Sequence, residues 1–288
     1  MKENLKKLVN QFKITLFHIT PLHFISNITY KVSRIEDVGI KNLLIKIYIA
    51  IFDIKLDEYK IKDIKEFKSL NDFFTRDLDL SFRKNLDESN NIISPCDGTI
   101  AGFGEINNNT FIHAKKYKYS ISELIHEENN DLKNGRFINI YLEPKDCHRI
   151  YMPCGASLTK VTHIPGSLFS VAPYATEGIK KLYSRNERVI LSFQNDQFKM
   201  SLIMVGAVNV GCISLSEHGI IAPSKHRNSV TEFKNKEDVR YYEKGQEIGM
   251  FNLGSTVILL LSDINSSWSE NIVKKEKILI RDEILRIS

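Results

Sequence analysis

The chain has 288 residues, of which 42% are apolar, 26% charged and 10% aromatic. That balance excludes a disordered or fibrous chain and leaves enough apolar side chain for one large core or two small ones. The formal net charge is +5, and residues 1–50 account for all of it, with eight Lys or Arg against three Asp or Glu. A basic front end on a neutral body points to a polyanionic partner. An anionic membrane surface is favoured over nucleic acid, because the chain has no Arg-rich patch with interleaved aromatics and no nucleic-acid motif.

Taken in chain order, "MKENLKKLVNQF" is charged and lacks a continuous apolar core, so no secretory signal is read there. Leu5, Leu8, Val9 and Phe12 recur at helical spacing until Pro21 breaks the pattern. A second periodic stretch carries Ile40, Leu43, Leu44, Ile47, Ile51 and Ile54, with Lys41 and Lys46 off that face. The longest uncharged apolar run near the front, Ile47–Phe52, is far short of the roughly 20 residues that span a bilayer. Lys2, Lys6 and Lys7 fit either the solvated face of a packing helix or an amphipathic helix lying on anionic lipid. "KSLNDFFTRDL" (Lys68–Leu78) reads as a short capped element, with Asn71 and Asp72 as turn or cap residues.

The texture changes after Asn85. "NNIISPCDGTIAGFGEINNNTFIHA" is punctuated by Pro95, Gly98, Gly102, Gly104 and an Asn run, with short β-rich pieces between them. "RFINIYLEP" (Arg136–Pro144), "ERVILSF" (Glu187–Phe193), "KMSLIMVGAVNVGCISL" (Lys199–Leu215) and "STVILLLS" (Ser255–Ser262) read as strands. The expected fold class is α+β. A basic helical region over residues 1–75 precedes a β-rich, sandwich- or barrel-like domain over residues 76–288. Cys96, Cys147, Cys154 and Cys212 form no CxxC pair, which suits a reduced cytoplasmic protein. Cys147, His148 and Cys154 match no common zinc spacing, so no metal is expected.

Three places could carry chemistry. Asp97-Gly98 in "SPCDGTI" is either a hairpin turn or a placed carboxylate. His148 in "EPKDCHRIYMPCG" stands between a strand and a Pro-Cys-Gly turn, as a satisfied half-buried histidine or as a general acid or base. Gly254-Ser255-Thr256 in "FNLGSTVILLL" is either a turn before a buried strand or a strained peptide. In the second case the Ser255 hydroxyl attacks the preceding carbonyl in an N-to-O acyl shift.

In this order, these segments resemble the bacterial phosphatidylserine decarboxylases that make their own pyruvoyl group. "LGST" (Leu253–Thr256) is intact, within a specific "KGQEIGMFNLGST" (Lys244–Thr256). "NDFFTRDL" (Asn71–Leu78), "SPCDGTI" (Ser94–Ile100), "AKKYKYSISELI" (Ala114–Ile125), "IPGSLFSV" (Ile164–Val171), "RNERV" (Arg185–Val189) and "VGAVNVG" (Val205–Gly211) are also similar to the family. The resemblance implies self-cleavage at Gly254-Ser255 into residues 1–254 (β chain) and 255–288 (α chain). Ser255 would become the covalent pyruvoyl cofactor, forming a Schiff base with the serine amine of the headgroup so that CO₂ leaves and phosphatidylethanolamine is released. It implies that Asp97 assists cleavage and that His148 serves decarboxylation. The family's second histidine, the self-cleavage base of "DYHRxHMP", is here Tyr151, whose ordinary pKa near 10 makes it a poor base. His148 is then expected to serve both steps, or cleavage to be slow. The resemblance further implies a peripheral protein on the cytoplasmic face of the inner membrane, often a homodimer, with no nucleic acid partner. Two alternatives are a lipid-surface binding homologue that no longer processes itself and a pyruvoyl decarboxylase of a soluble amino acid.

Overall fold

The computed structural model describes residues 2–87, 89–113, 117–208, 212–216, 219–222, 229–232, 239–252, 254–274 and 276–288. Pro21, which has no amide hydrogen to donate, separates two helices, α1 (Lys2–Ile19) and α2 (Leu22–Val32). Asp37 caps α3 (Val38–Phe52) by accepting from the Ile40 amide at 2.9 Å, and Asp53 ends it in the left-handed region at φ 50°. Residues 53–69 are turns, and Ser69 then caps the short α4 (Leu70–Phe74).

The apolar periodicity of α3 does not mark the core. Ile40, Leu43 and Ile51 are 47%, 59% and 66% exposed, whereas Lys41 is buried. The reason is local. The Lys41 ammonium donates to the carbonyls of Lys65 (2.9 Å) and Phe67 (2.6 Å), so the 53–69 connection packs on the lysine side and satisfies the charge there. Ile45, Ile54, Phe67 and Phe73 close a small apolar cluster beneath it.

Eight strands position the site: β1 (Gly98–Ile106), β2 (Gly135–Leu142), β3 (Arg149–Tyr151), β4 (Ala156–Ile164), β5 (Arg188–Gln194), β6 (Lys199–Val205), β7 (Glu247–Phe251) and β8 (Ser255–Ser262). Among the described residues the central antiparallel sheet has nine strands. Its order is Ser229–Glu232, β4, β5, β6, β8, β2, β1 and Lys277–Ile278, and Arg240–Tyr242 also pairs with β4. In the middle, β8 buries Val257 to Leu261 without a break, which explains an apolar run with no alternation. The α+β expectation therefore holds.

The expected single strand over Lys199–Leu215 is two. After β6 the chain leaves the central sheet, and the Gly206 amide donates to the Glu187 carbonyl. Ile213–Leu215 joins a second sheet of four strands, in the order Gly219–Ala222, Ile213–Leu215, β7, β3. Residues 209–211 of that run lie outside the described residues. This second sheet pairs the strand that follows His148 with the strand that leads to Gly254, with Arg149 opposite Met250.

Candidate functional site

Antiparallel pairing brings four chain segments to one end of the central sheet. Ser255, the first residue of β8, lies opposite Leu142 near the end of β2, and Thr256 lies between Tyr141 and Val205. Tyr141 is also opposite Thr99, two residues after Asp97. Asp97, the 141–148 loop, the end of β6 and the Gly254-Ser255 peptide therefore share a neighbourhood. Gly254 has φ +38°, a left-handed conformation that strains a residue with a Cβ. It borders a pocket of about 140 Å³ between Leu142, Pro144, Val171 and Ala207. The Thr256 hydroxyl is buried with no hydrogen-bond partner among the described residues. Leu253 and the Ser255 side chain lie outside the described residues.

His148 is fully buried at the end of the loop that leaves β2. That loop is closed by two hydrogen bonds between Glu143 and Asp146. The Glu143 amide donates to Asp146 Oδ2 at 2.7 Å, and the Asp146 amide donates to the Glu143 carbonyl at 2.9 Å. The same carbonyl accepts from His148 Nε2 at 3.1 Å. A carbonyl only accepts, so the proton sits on Nε2 and Nδ1 carries the bare lone pair. Nδ1 is buried and has no partner among the described residues. Burial, helped by the Arg76 guanidinium, holds this imidazole well below the ordinary histidine pKa, so it is neutral at pH 7. The His148 carbonyl accepts from the Phe251 amide at 3.0 Å, three residues before Gly254. His148 is thus tied by backbone to the strand that precedes the candidate cleavage point.

Asp97 is buried, with a short bidentate contact to Arg83. Nη2 donates to Oδ2 at 2.6 Å and Nε to Oδ1 at 3.3 Å, and the Ile280 amide donates to Oδ1 at 2.7 Å. Burial pushes this carboxyl up, while Arg83 and the Ile280 amide pull against that rise. Its hydrogen bonds run to Arg83 and Ile280 rather than to His148 or Tyr151. Tyr151 is buried in a cluster with Tyr59, Leu78, Cys147 and Ile280. Burial drives its phenol far above the usual range, so it carries its proton at pH 7. Ile280 connects the two, with its amide on Asp97 and its side chain in the Tyr151 cluster. Among the described residues, no three His, Cys, Asp or Glu side chains are grouped to hold a metal, and burial pushes both the Cys147 and Cys154 thiols up to about 12.

The sequence reading gave no role to the residues that hold His148 in place. The Phe74 ring stacks on its imidazole at 4.0 Å between centroids and 28° between planes. Arg76, buried and stacked 4.3 Å over Tyr59, donates to the Lys145 carbonyl at 2.6 Å and the Asp146 carbonyl at 3.3 Å. Arg149 Nε donates to the Thr75 carbonyl at 3.0 Å. Phe74, Thr75 and Arg76 belong to "NDFFTRDL", so the signal was the motif itself. Arg83, the partner of Asp97, had no such signal.

At the other end of the helical region, an apolar surface faces outward. Leu8, Phe12 and Ile19 of α1 and Phe24 of α2 are 64–75% exposed, and Leu43 and Ile51 of α3 continue the pattern. The side chains of residues 1–7, including Lys2, Lys6 and Lys7, lie outside the described residues. Among the described residues, no helix is long and apolar enough to cross a membrane. A cavity of about 500 Å³ lies between the α1–α2 turn and the loop that follows β4, lined by Phe17, Pro21, Leu22, Phe24, Leu168 and Phe169. Three residues after Leu168, Val171 borders the pocket beside Gly254.

A sequence profile described as phosphatidylserine decarboxylase matches residues 70–285. The phosphatidylserine decarboxylase proenzyme of Francisella tularensis subsp. novicida is 39% identical over 256 residues, covering 88% of this chain and 90% of that protein. The proenzyme of Alkalilimnicola ehrlichii is 36% identical over 255 residues, covering 88% of each. That of Alcanivorax borkumensis is 33% identical over 275 residues, covering 94% of each.

Proposed function

Since the chain belongs to the phosphatidylserine decarboxylase family, we propose that this decarboxylase converts phosphatidylserine to phosphatidylethanolamine and CO₂, after cutting its own backbone between Gly254 and Ser255. The observation that carries the reading is the Gly254 peptide. It stands in a left-handed conformation at the head of the central strand, and its approach strand is hydrogen-bonded to the residue that bears a buried imidazole nitrogen with no partner among the described residues.

The Ser255 hydroxyl loses its proton to a base and adds to the Gly254 carbonyl, and the C–N bond then breaks to leave an ester and a free amine. Elimination across the Cα–Cβ bond of residue 255 releases residues 1–254 with a carboxylate end. The resulting enamine tautomerises, and water replaces its nitrogen as ammonia. Residues 255–288 then begin with a pyruvoyl group. In this chain His148 is the base supported best, because its Nδ1 is bare at neutral pH while Tyr151 keeps its proton. Asp97 acts through Arg83 and Ile280 by holding the loops of this end together.

The residues present fit that group. The small pocket beside Gly254 is lined largely by apolar side chains and by the backbone, and two residues further along the chain the buried Thr256 hydroxyl lacks a partner among the described residues. The pyruvoyl carbonyl supplies an electron sink for the decarboxylation. His148 would hold or deliver a proton at Nδ1, and Phe74 would keep water from its ring face. The headgroup would reach the pocket from the membrane side, past the 500 Å³ cavity between α1–α2 and Leu168. Residues 1–75 would rest on the anionic cytoplasmic face of the inner membrane as a peripheral attachment, with a homodimer as the working form. The test is release of CO₂ and phosphatidylethanolamine from phosphatidylserine in mixed micelles, with free serine as the control. Turnover of free serine but not of the lipid would overturn the substrate assignment.

A further inference from the structure

We propose that Asn71 is a positioning residue for self-cleavage, acting through Asn252 on the Gly254–Ser255 peptide; this rests on the cleavage reading above. Asn252 is the last described residue before the turn and is buried. Its own amide donates to the Cys212 carbonyl at 2.9 Å. Its side-chain Nδ2 donates to the same carbonyl at 3.2 Å and to Ser214 Oγ at 2.8 Å. A carbonyl can only accept, so this contact fixes which end of the Asn252 side chain is nitrogen. Oδ1 must then face Asn71, whose Nδ2 donates to it at 3.2 Å.

Asn71 is itself held from behind. It lies in α4, and its backbone amide donates at 2.7 Å to the carbonyl of Ser33, the residue that caps the C-terminus of α2. Cys212 and Ser214 belong to the second sheet or its edge, so the Asn71 contact comes from the helical region. A glycine turn has many backbone conformations of similar energy. An acyl shift needs one of them, with the hydroxyl close to the carbonyl carbon. Fixing the residue two positions upstream, with an oriented polar contact on each side, narrows that choice. An apolar pair of the same size would fill the space without fixing the rotation of the Asn252 amide.

The test follows cleavage of the freshly translated full-length chain on a denaturing gel between pH 5 and pH 8. Asn71→Asp replaces the donating NH₂ by an oxygen of nearly the same size, so at pH 8 two acceptors face each other. Cleavage should slow by about 10- to 100-fold relative to wild type, the range for a reacting group displaced by up to about 1 Å. Burial raises a carboxyl pKa, and the protonated acid can donate again, so the ratio of variant to wild-type rate should recover as the pH falls. Asn71→Ala should be slowed at every pH with no such recovery, and it keeps the test open if the carboxylate variant does not fold. Wild-type rates in Asn71→Ala, or a slowed Asn71→Asp whose ratio does not change with pH, would overturn the inference alone. A wild-type chain that never cleaves would overturn the cleavage reading and this inference together.

Discussion

His148 illustrates how one side chain ties stability to chemistry. Its folded pKa lies well below the ordinary histidine value because of burial and Arg76. In the window beneath about pH 6.5, the unfolded chain binds a proton that the folded chain does not. The stability contributed by the neutral imidazole is complete above that window and is lost as the pH falls through it. The melting temperature of the wild type should therefore drop more between pH 7 and pH 5 than that of His148→Gln, and equal drops would contradict the buried neutral ring. The same variant should lose about 10²- to 10⁴-fold in turnover per cleaved molecule, the usual loss for a missing general acid or base. Tyr151 behaves differently. Its phenol is buried and protonated, so Tyr151→Phe should leave cleavage within about twofold of wild type, and a much larger loss would make the phenol a participant. Asp97→Asn strands the Arg83 guanidinium with only Glu58 as its ion-pair partner among the described residues, at 2.8 Å. It should cost about 3–5 kcal/mol in unfolding free energy, measured by denaturant titration, because the partner that remains is a buried charge.

At the scale of elements, α4 and the residues after it join the helical region to the site. Within "NDFFTRDL", Asn71 reaches Asn252, Phe74 covers His148 and Arg76 clamps the 145–146 carbonyls. The reading proposed above gives the outer faces of α1 and α3 a different task, contact with the membrane. Phe12 and Ile51 are 69% and 66% exposed and touch no core, so Phe12→Asp or Ile51→Asp should leave the melting temperature nearly unchanged. Each should weaken binding to anionic vesicles by tenfold or more, since burying one such side chain is worth about 1.5–3 kcal/mol. Undiminished vesicle binding would remove these faces from the membrane contact. The strands at 135–142, 188–194 and 255–262 were legible because long β-branched and aliphatic runs carry their own signal. The direction of α3 was not legible, because periodicity shows that a helix has an apolar face and not whether protein or lipid covers it. The break after Val205 was hidden because two strands of different sheets follow each other with apolar residues on both sides. At the candidate site, Ser255, His148 and Asp97 were named from motifs and Phe74 lay within one, while the pairing of Arg83 with Asp97 depends on long-range folding that no local pattern encodes.

For the whole molecule, positive charge and exposed apolar side chains fall in the same stretch of sequence. The net excess of five positive charges in residues 1–50 coincides with the outward apolar faces of α1, α2 and α3. A basic residue near an anionic leaflet contributes about 1 kcal/mol, and the attraction is screened beyond roughly 10 Å at 0.1 M salt. Vesicle binding should therefore weaken as salt rises yet persist in part through the apolar contact, which sedimentation with phosphatidylserine-containing vesicles at increasing ionic strength would measure. The two sheets give the rest of the molecule its logic, since one sets Ser255 at the head of the central strand and the other sets His148 beside the strand that leads to it. Cleavage at that point is the central claim, and an intact mass spectrum of the purified full-length protein tests it most directly. The expected result is two chains, residues 1–254 and a fragment of about 4 kDa for residues 255–288, with the fragment blocked to N-terminal sequencing because a pyruvoyl end has no amine, and with Ser255→Ala remaining whole and inactive. A single uncleaved chain of 33.2 kDa with full decarboxylase activity, or ordinary cleavage in Ser255→Ala, would contradict it.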